Sequence, residues 1–128
     1  MTRGLADTSV FIAREVGRAL DVAGAPASLA VSIITVAELR AGVLGAHDLA
    51  TRSRRLATLE LVLSLEPVPI DARVAEAWAE LRIRLRDAGS SLKVNDSWIA
   101  ATALALGVPV VTQDADFDSV PDLRVIRV

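Results

Sequence analysis

The stretch Asn95–Phe117, NDSWIAATALALGVPVVTQDADF, decides the fold. Asn95-Asp96 introduces a helix from Ser97 to Leu106 that is apolar on nearly every side, so it belongs in the interior rather than on a surface. Gly107 stops it, and Val108-Pro109-Val110-Val111 follows as a core strand ending at Thr112. Asp114-Ala115-Asp116-Phe117 is then a turn. A buried helix running straight into a buried strand is the unit from which parallel sheets covered on both faces are made.

The same alternation continues outward. Leu5-Ala6 ends a short apolar strand, Asp7-Thr8-Ser9 follows, and Thr8 or Ser9 can cap a helix through Val10, Phe11, Ile12 and Val16. Ala23 to Ser28 reads as a loop, and Leu29 to Ile34 as a buried strand. Thr35-Val36-Ala37-Glu38 has the spacing of a capping box, opening a helix that Gly42 or Gly45 closes. Asp48 to Ser64 is helical, with Leu49, Leu56, Leu59 and Leu63 near one face. Pro67 and Pro69 flank Val68 in a short extended piece. Asp71 to Gly89 is the most regular helix, with Val74, Trp78, Leu81, Leu85 and Ala88 at spacings of 4, 3, 4 and 3 and with Glu76, Glu80 and Arg84 able to pair along its other side. Leu123 to Val128 alternates as a final strand. The expectation is an α/β fold with a mostly parallel sheet, in one domain over residues 1–128.

Composition narrows the chemistry. Without cysteine there are no disulfides, thiolate metal sites or cysteine nucleophiles. His47 is the single histidine and lies in a loop, which excludes a nuclease using paired histidines and leaves no Ser/His/Asp triad. The longest apolar stretch, Ile99 to Val111, is interrupted and too short to span a bilayer, and no secretory signal is visible, so a cytoplasmic protein is expected. The net charge of −2 is not that of a protein holding nucleic acid by bulk charge. Every basic residue except Lys93 is arginine, with local clusters at Arg52, Arg54 and Arg55 and at Arg82, Arg84 and Arg86.

The acids are the informative residues. Asp7 follows the first strand, Glu38 the second, Asp96 opens the buried helix, and Asp114 and Asp116 follow the strand ending at Thr112. Each alone is explained by capping or turn formation. Together they lie at successive strand-to-helix junctions, beyond the carboxyl ends of the strands, where open α/β sheets bind ligands. Crowded carboxylates raise one another's pKa, and a divalent cation removes that cost. An all-oxygen donor set favours Mg²⁺ or Mn²⁺, in one or two ions, and such a site can activate water against a phosphodiester.

The segments Asp7-Thr8-Ser9, Thr35-Val36-Ala37-Glu38-Leu39-Arg40-Ala41-Gly42, Asn95-Asp96-Ser97-Trp98-Ile99-Ala100-Ala101 and Val111-Thr112-Gln113-Asp114-Ala115-Asp116-Phe117 carry a family likeness. In order and spacing the chain resembles the PIN-domain ribonucleases, most closely the VapC toxins of bacterial toxin–antitoxin pairs. The resemblance implies a three-layer α/β/α fold with Asp7, Glu38, Asp96 and Asp114 as catalytic, metal-binding acids and Asp116 as a further metal position. It makes Thr8, Asn95 and Thr112 residues that orient those ligands. It also implies Mg²⁺- or Mn²⁺-dependent cleavage of RNA, a homodimer, and a VapB-like antitoxin with which higher assemblies form. Lys93 and Arg40 are the basic residues placed to touch RNA. The rival expectations are a catalytically silent PIN scaffold that binds RNA or protein, and an aspartyl-phosphate enzyme. The second lacks the additional Asp that would follow Asp7 two residues later.

Overall fold

The computed structural model describes residues 2–128. In chain order the elements are β1 (Arg3–Ala6), α1 (Thr8–Val16), β2 (Ser28–Val31), α2 (Ile33–Leu44), α3 (Leu49–Ser64), α4 (Ala72–Asp87), α5 (Val94–Leu106), β3 (Val110–Thr112) and β4 (Val125–Arg127). The strands form one parallel sheet in the order β2-β1-β3-β4, with Leu5 and Ala6 paired to Val110 and Val111. The Val68 segment adds a parallel bridge to Ser32 at the β2 edge.

Successive strand residues point to opposite faces, and the two cores follow from that. Leu5 and Val110 face one way, onto Leu81 and Leu85 of α4 and Ile99, Ala100 and Ala103 of α5. Ala6 and Val111 face the other, onto Val10 and Phe11 of α1, Leu39 and Val43 of α2, and Leu59 and Val62 of α3. The sheet is thus covered on both faces, giving three layers. The central strand residues Leu5, Ala6, Val31, Val110 and Val111 are apolar because neither face of the sheet meets water there, while the charged Arg3 and Arg127 stay exposed at strand ends. Gly4 is fixed by this packing, since a Cβ there would lie 2.9 Å from both Pro26 and Val111.

Several element ends differ from the sequence reading, each for a local reason. β2 ends at Val31, because Ser32 caps α2 by accepting from the Ile34 amide at 3.0 Å. Thr35 and Glu38 therefore lie inside α2, and the expected capping box does not exist. Gly45, not Gly42, closes that helix. α5 starts at Val94, three residues before the expected Ser97, so Asn95 and Asp96 are in its first turn. β3 and β4 are shorter than expected at Val110–Thr112 and Val125–Arg127. Gly107 does end α5, in the left-handed region at φ 68° that a side chain would strain. Arg84 pairs with Asp122 at 2.6 Å rather than with Glu80. Among the described residues, no helix is long and apolar enough to cross a membrane.

Candidate active site

Asp7 occupies the N-cap position of α1, yet its carboxylate caps nothing. It is 3% exposed and instead accepts a hydrogen bond from the Thr112 hydroxyl at 3.0 Å. The β1–β3 pairing makes this contact possible, since the Asp7 amide donates to Val111 O at 2.8 Å and sets the two strand ends side by side. The Thr112 oxygen in turn accepts from the Asp114 amide at 3.0 Å. With its proton committed to Asp7, it is the Ser9 hydroxyl that donates to Thr112 at 3.2 Å, while Ser9 accepts from the Gln113 amide at 3.0 Å.

A second hydroxyl chain holds Glu38. Thr8 donates to Glu38 Oε1 at 2.7 Å, which leaves its oxygen to accept from the buried Thr35 hydroxyl at 2.9 Å. Glu38 lies in the second turn of α2, where a helix-facing carboxylate reaches across to the start of α1. By sequence Ser9 and Thr35 are capping residues; in the fold both belong to these networks. The signal for them was membership in the acid-bearing segments, not any property of Ser or Thr.

Asp96 shows how close the acids stand. Partial burial, then the charges of Asp7, Asp116 and Glu38, push its pKa up to about 6, with Lys93 opposing. Asp114 is also raised, by desolvation first and then by Asp7 and Asp116, against Lys93 and Arg127. Acids taken from four separate parts of the sequence therefore share one electrostatic neighbourhood at the carboxyl ends of β1 and β3. Asp114 and Asp116 are exposed, Asp96 and Glu38 half-buried, so the cluster opens to solvent. Among the described residues no three acids close directly around a single point as an all-protein cage. A small hard cation that keeps several waters needs only one or two carboxylates, so the donor set fits Mg²⁺ or Mn²⁺.

The other expected residues divide. Lys93, at the N-cap of α5, acts on both Asp96 and Asp114 and so stands at the cluster. Asn95 is exposed, and its side chain makes no hydrogen bond among the described residues. Arg40 is exposed on α2, and nothing ties it to the acids. His47 is exposed in the loop before α3, apart from these networks. Arg52, Arg54 and Arg55 are accounted for by structure: Arg55 donates to Gly42 O at 2.7 Å, Arg52 to Ala46 O at 3.5 Å, and Arg54 lies 3.8 Å from Glu15.

Known proteins resemble this chain in sequence and in fold. The PIN domain family model matches residues 5–123. The chain is 48% identical to ribonuclease VapC5 of Mycobacterium tuberculosis over 128 residues, covering 98% of this chain and 95% of that protein. It is 47% identical to ribonuclease VapC4 of the same organism over 126 residues, covering 98% and 97%. Its backbone matches the crystal structure of VapBC-5, a member of the VapBC family of toxin–antitoxin systems from Mycobacterium tuberculosis, with a TM-score of 0.91, 44% identity and full coverage of both chains. The sheet order, the junction acids and these likenesses agree that the chain belongs to the PIN-domain family, on its VapC branch.

Proposed function

We propose that this protein is a metal-dependent endoribonuclease, the toxin of a VapBC-like pair, acting as a single domain in the cytoplasm. What supports the reading is that the charges of Asp7, Asp116 and Glu38 act on Asp96, raised to about 6 by burial first, and that those of Asp7 and Asp116 act on Asp114, beyond the carboxyl ends of β1 and β3. The relatives named as ribonucleases, which align over almost the whole chain, support RNA as the substrate.

In this reading Asp7, Glu38, Asp96 and Asp114 are the metal-binding acids, one or two of them ligating a cation directly and the others meeting it through its waters, with Asp116 beside them. A bound Mg²⁺ or Mn²⁺ supplies neutralisation of the phosphate and activation of water for in-line attack. Thr112 fixes the Asp7 carboxylate, and Thr8 fixes that of Glu38, so neither has to be reorganised when substrate arrives. Asp96 must release its proton to ligate, which couples cation binding to pH. Lys93 is the cation that acts on both Asp96 and Asp114 and is placed to meet an RNA phosphate.

A VapB-like antitoxin and a second copy of the chain are the expected protein partners. The relative solved as VapBC-5 supports the first. Exposed apolar side chains support both: Leu49, Leu56 and Leu63 recur every seven residues on α3, beside Ile12 and Val16 on the neighbouring α1.

The test is cleavage of RNA by purified, antitoxin-free protein. Activity should need Mg²⁺ or Mn²⁺, stop in excess chelator and be lost in Asp7→Asn and Asp96→Asn. Water as nucleophile predicts 5′-phosphate and 3′-hydroxyl ends. Products ending in 2′,3′-cyclic phosphate, or cleavage undiminished by the substitutions, would defeat the proposal. RNA binding without cleavage would identify a silent scaffold.

A further inference from the structure

An acidic chain that gathers five carboxylates at one edge cannot hold an RNA strand there by overall charge. The cations that offset this lie next door. Between the C-terminal half of α4 and the first turn of α5 is a groove of about 430 Å³ whose polar lining includes Arg82, Arg86, Ser90 and Ser91. Val94 and Ser97 also line it. Asp96 belongs to that same helical turn, so groove and acid cluster lie on two sides of one turn, with Lys93 at its start.

The two arginines are available in different ways. The Arg82 guanidinium lies 5.0 Å from the Trp78 ring centroid, with no carboxylate partner among the described residues. Trp78 is itself stacked on Trp98 at 4.4 Å and donates from its indole to Ser97 Oγ at 2.9 Å. Arg82 is thus ordered by a rigid aromatic platform while its donors stay free for an anion. Among the described residues Arg86 pairs only with its neighbour Asp87, at 3.1 Å and well exposed, an interaction too weak to withhold it from a phosphate. Leu85 and Leu92 give the groove an apolar wall suited to a ribose or base.

We propose that this groove is a second nucleotide subsite, in which Arg82 and Arg86 hold a backbone phosphate of the RNA strand whose scissile bond lies over the acids. The inference rests on the nuclease reading for its ligand. It assigns substrate grip to the α4–α5 groove and leaves chemistry to the acid cluster. Arg84, between the two in sequence, does not line the groove, so it carries the same charge without the role.

The test isolates the groove. In chelator the acids repel RNA, so whatever binding persists belongs to cations elsewhere. Binding of a fluorescent single-stranded RNA is measured by anisotropy for the wild type, Arg82→Gln/Arg86→Gln and Arg84→Gln, with thermal melts to show that each is folded. The double variant should bind roughly tenfold more weakly. Its salt dependence should be shallower by about 0.7 for each phosphate it no longer holds. Arg84→Gln should stay within about twofold of wild type, as expected for a residue that touches no phosphate. The inference is overturned if wild type shows no binding in chelator, if the double variant matches it, or if Arg84→Gln weakens binding as much. A wild type that binds as described yet cuts no RNA with Mg²⁺ or Mn²⁺ would refute the nuclease reading and leave the groove assignment standing.

Discussion

The Thr112 hydroxyl donates to Asp7 and accepts from Ser9 and from the Asp114 amide, so one buried atom ties together two strand ends and two acids. Thr112→Val keeps the shape and removes all three bonds. The expected result is a drop of about 10- to 100-fold in cleavage and in metal affinity, read by initial rates and calorimetric titration. Stability should fall by about 1–3 kcal/mol in urea denaturation, because Asp7 is left buried without its donor. Thr112→Ser should restore most of both. Asp96 gives the opposite kind of prediction. Its pKa is raised to about 6, so the folded metal-free protein binds more protons than the unfolded chain between pH 4 and 6. Stability without metal should therefore fall as pH rises through that window. Asp96→Asn should flatten the trend and raise stability near pH 7 by on the order of 1 kcal/mol, less than full linkage because the carboxyl is only half-buried. The same substitution should abolish cleavage. At this scale the sequence singled out Asp7, Glu38, Asp96, Asp114 and Asp116 through their place in four ordered segments, and in the fold the charges of these acids act on Asp96 and Asp114. It did not disclose Ser9 and Thr35 as partners, because a hydroxyl near a helix start looks the same whether it caps or reaches another element.

Among the elements, the α4–α5 pair governs where Asp96 stands. Trp78 and Trp98 stack face to face at 4.4 Å, with planes 6° apart, and the Trp78 indole bonds Ser97 beside Asp96. Trp78→Ala should cost about 2–4 kcal/mol in urea denaturation, toward the lower end because the ring is half-exposed. Trp78→Phe should keep the stacking and cost about 1 kcal/mol for the missing hydrogen bond. Trp78 fitted the apolar stripe of α4 and Trp98 belonged to the nearly all-apolar α5, so the packing role of both rings was legible in the sequence. Their stacking on each other was not, because helical periodicity identifies a face and never the neighbour opposite it. The helix starts show the same limit. Ser32 rather than Thr35 caps α2, and α5 begins at Val94, since a cap is decided by where the backbone leaves the sheet and not by which polar residue offers a side chain.

For the molecule as a whole, metal binding should act as a folding ligand. At a free cation concentration about 100 times the dissociation constant, stability should rise by about 2.7 kcal/mol, read as an upward shift in thermal midpoint that chelator reverses. The shift should shrink at pH 5, where the proton on Asp96 competes with the cation. The apolar α1 and α3 faces make a separate prediction. Leu56→Ser/Leu63→Ser should weaken association with the protein partner at least tenfold in a pull-down titration. Cleavage by the free protein should be unchanged, because these side chains belong to a helix outside the acid cluster.

Sequence alone determined the alternation of strands and helices, the burial of the Ser97–Leu106 segment and the identity and order of the acids. Each of these is written in local periodicity or local residue type. Only the tertiary structure decided that Asp7 would be held by a threonine 105 residues away, that Arg84 would choose Asp122 over Glu80, and that Arg82 would lie over a tryptophan beside a groove. The reason is dimensional. A pattern along one chain fixes which way a side chain faces, while the group it meets depends on strand order and register, which bring remote segments together.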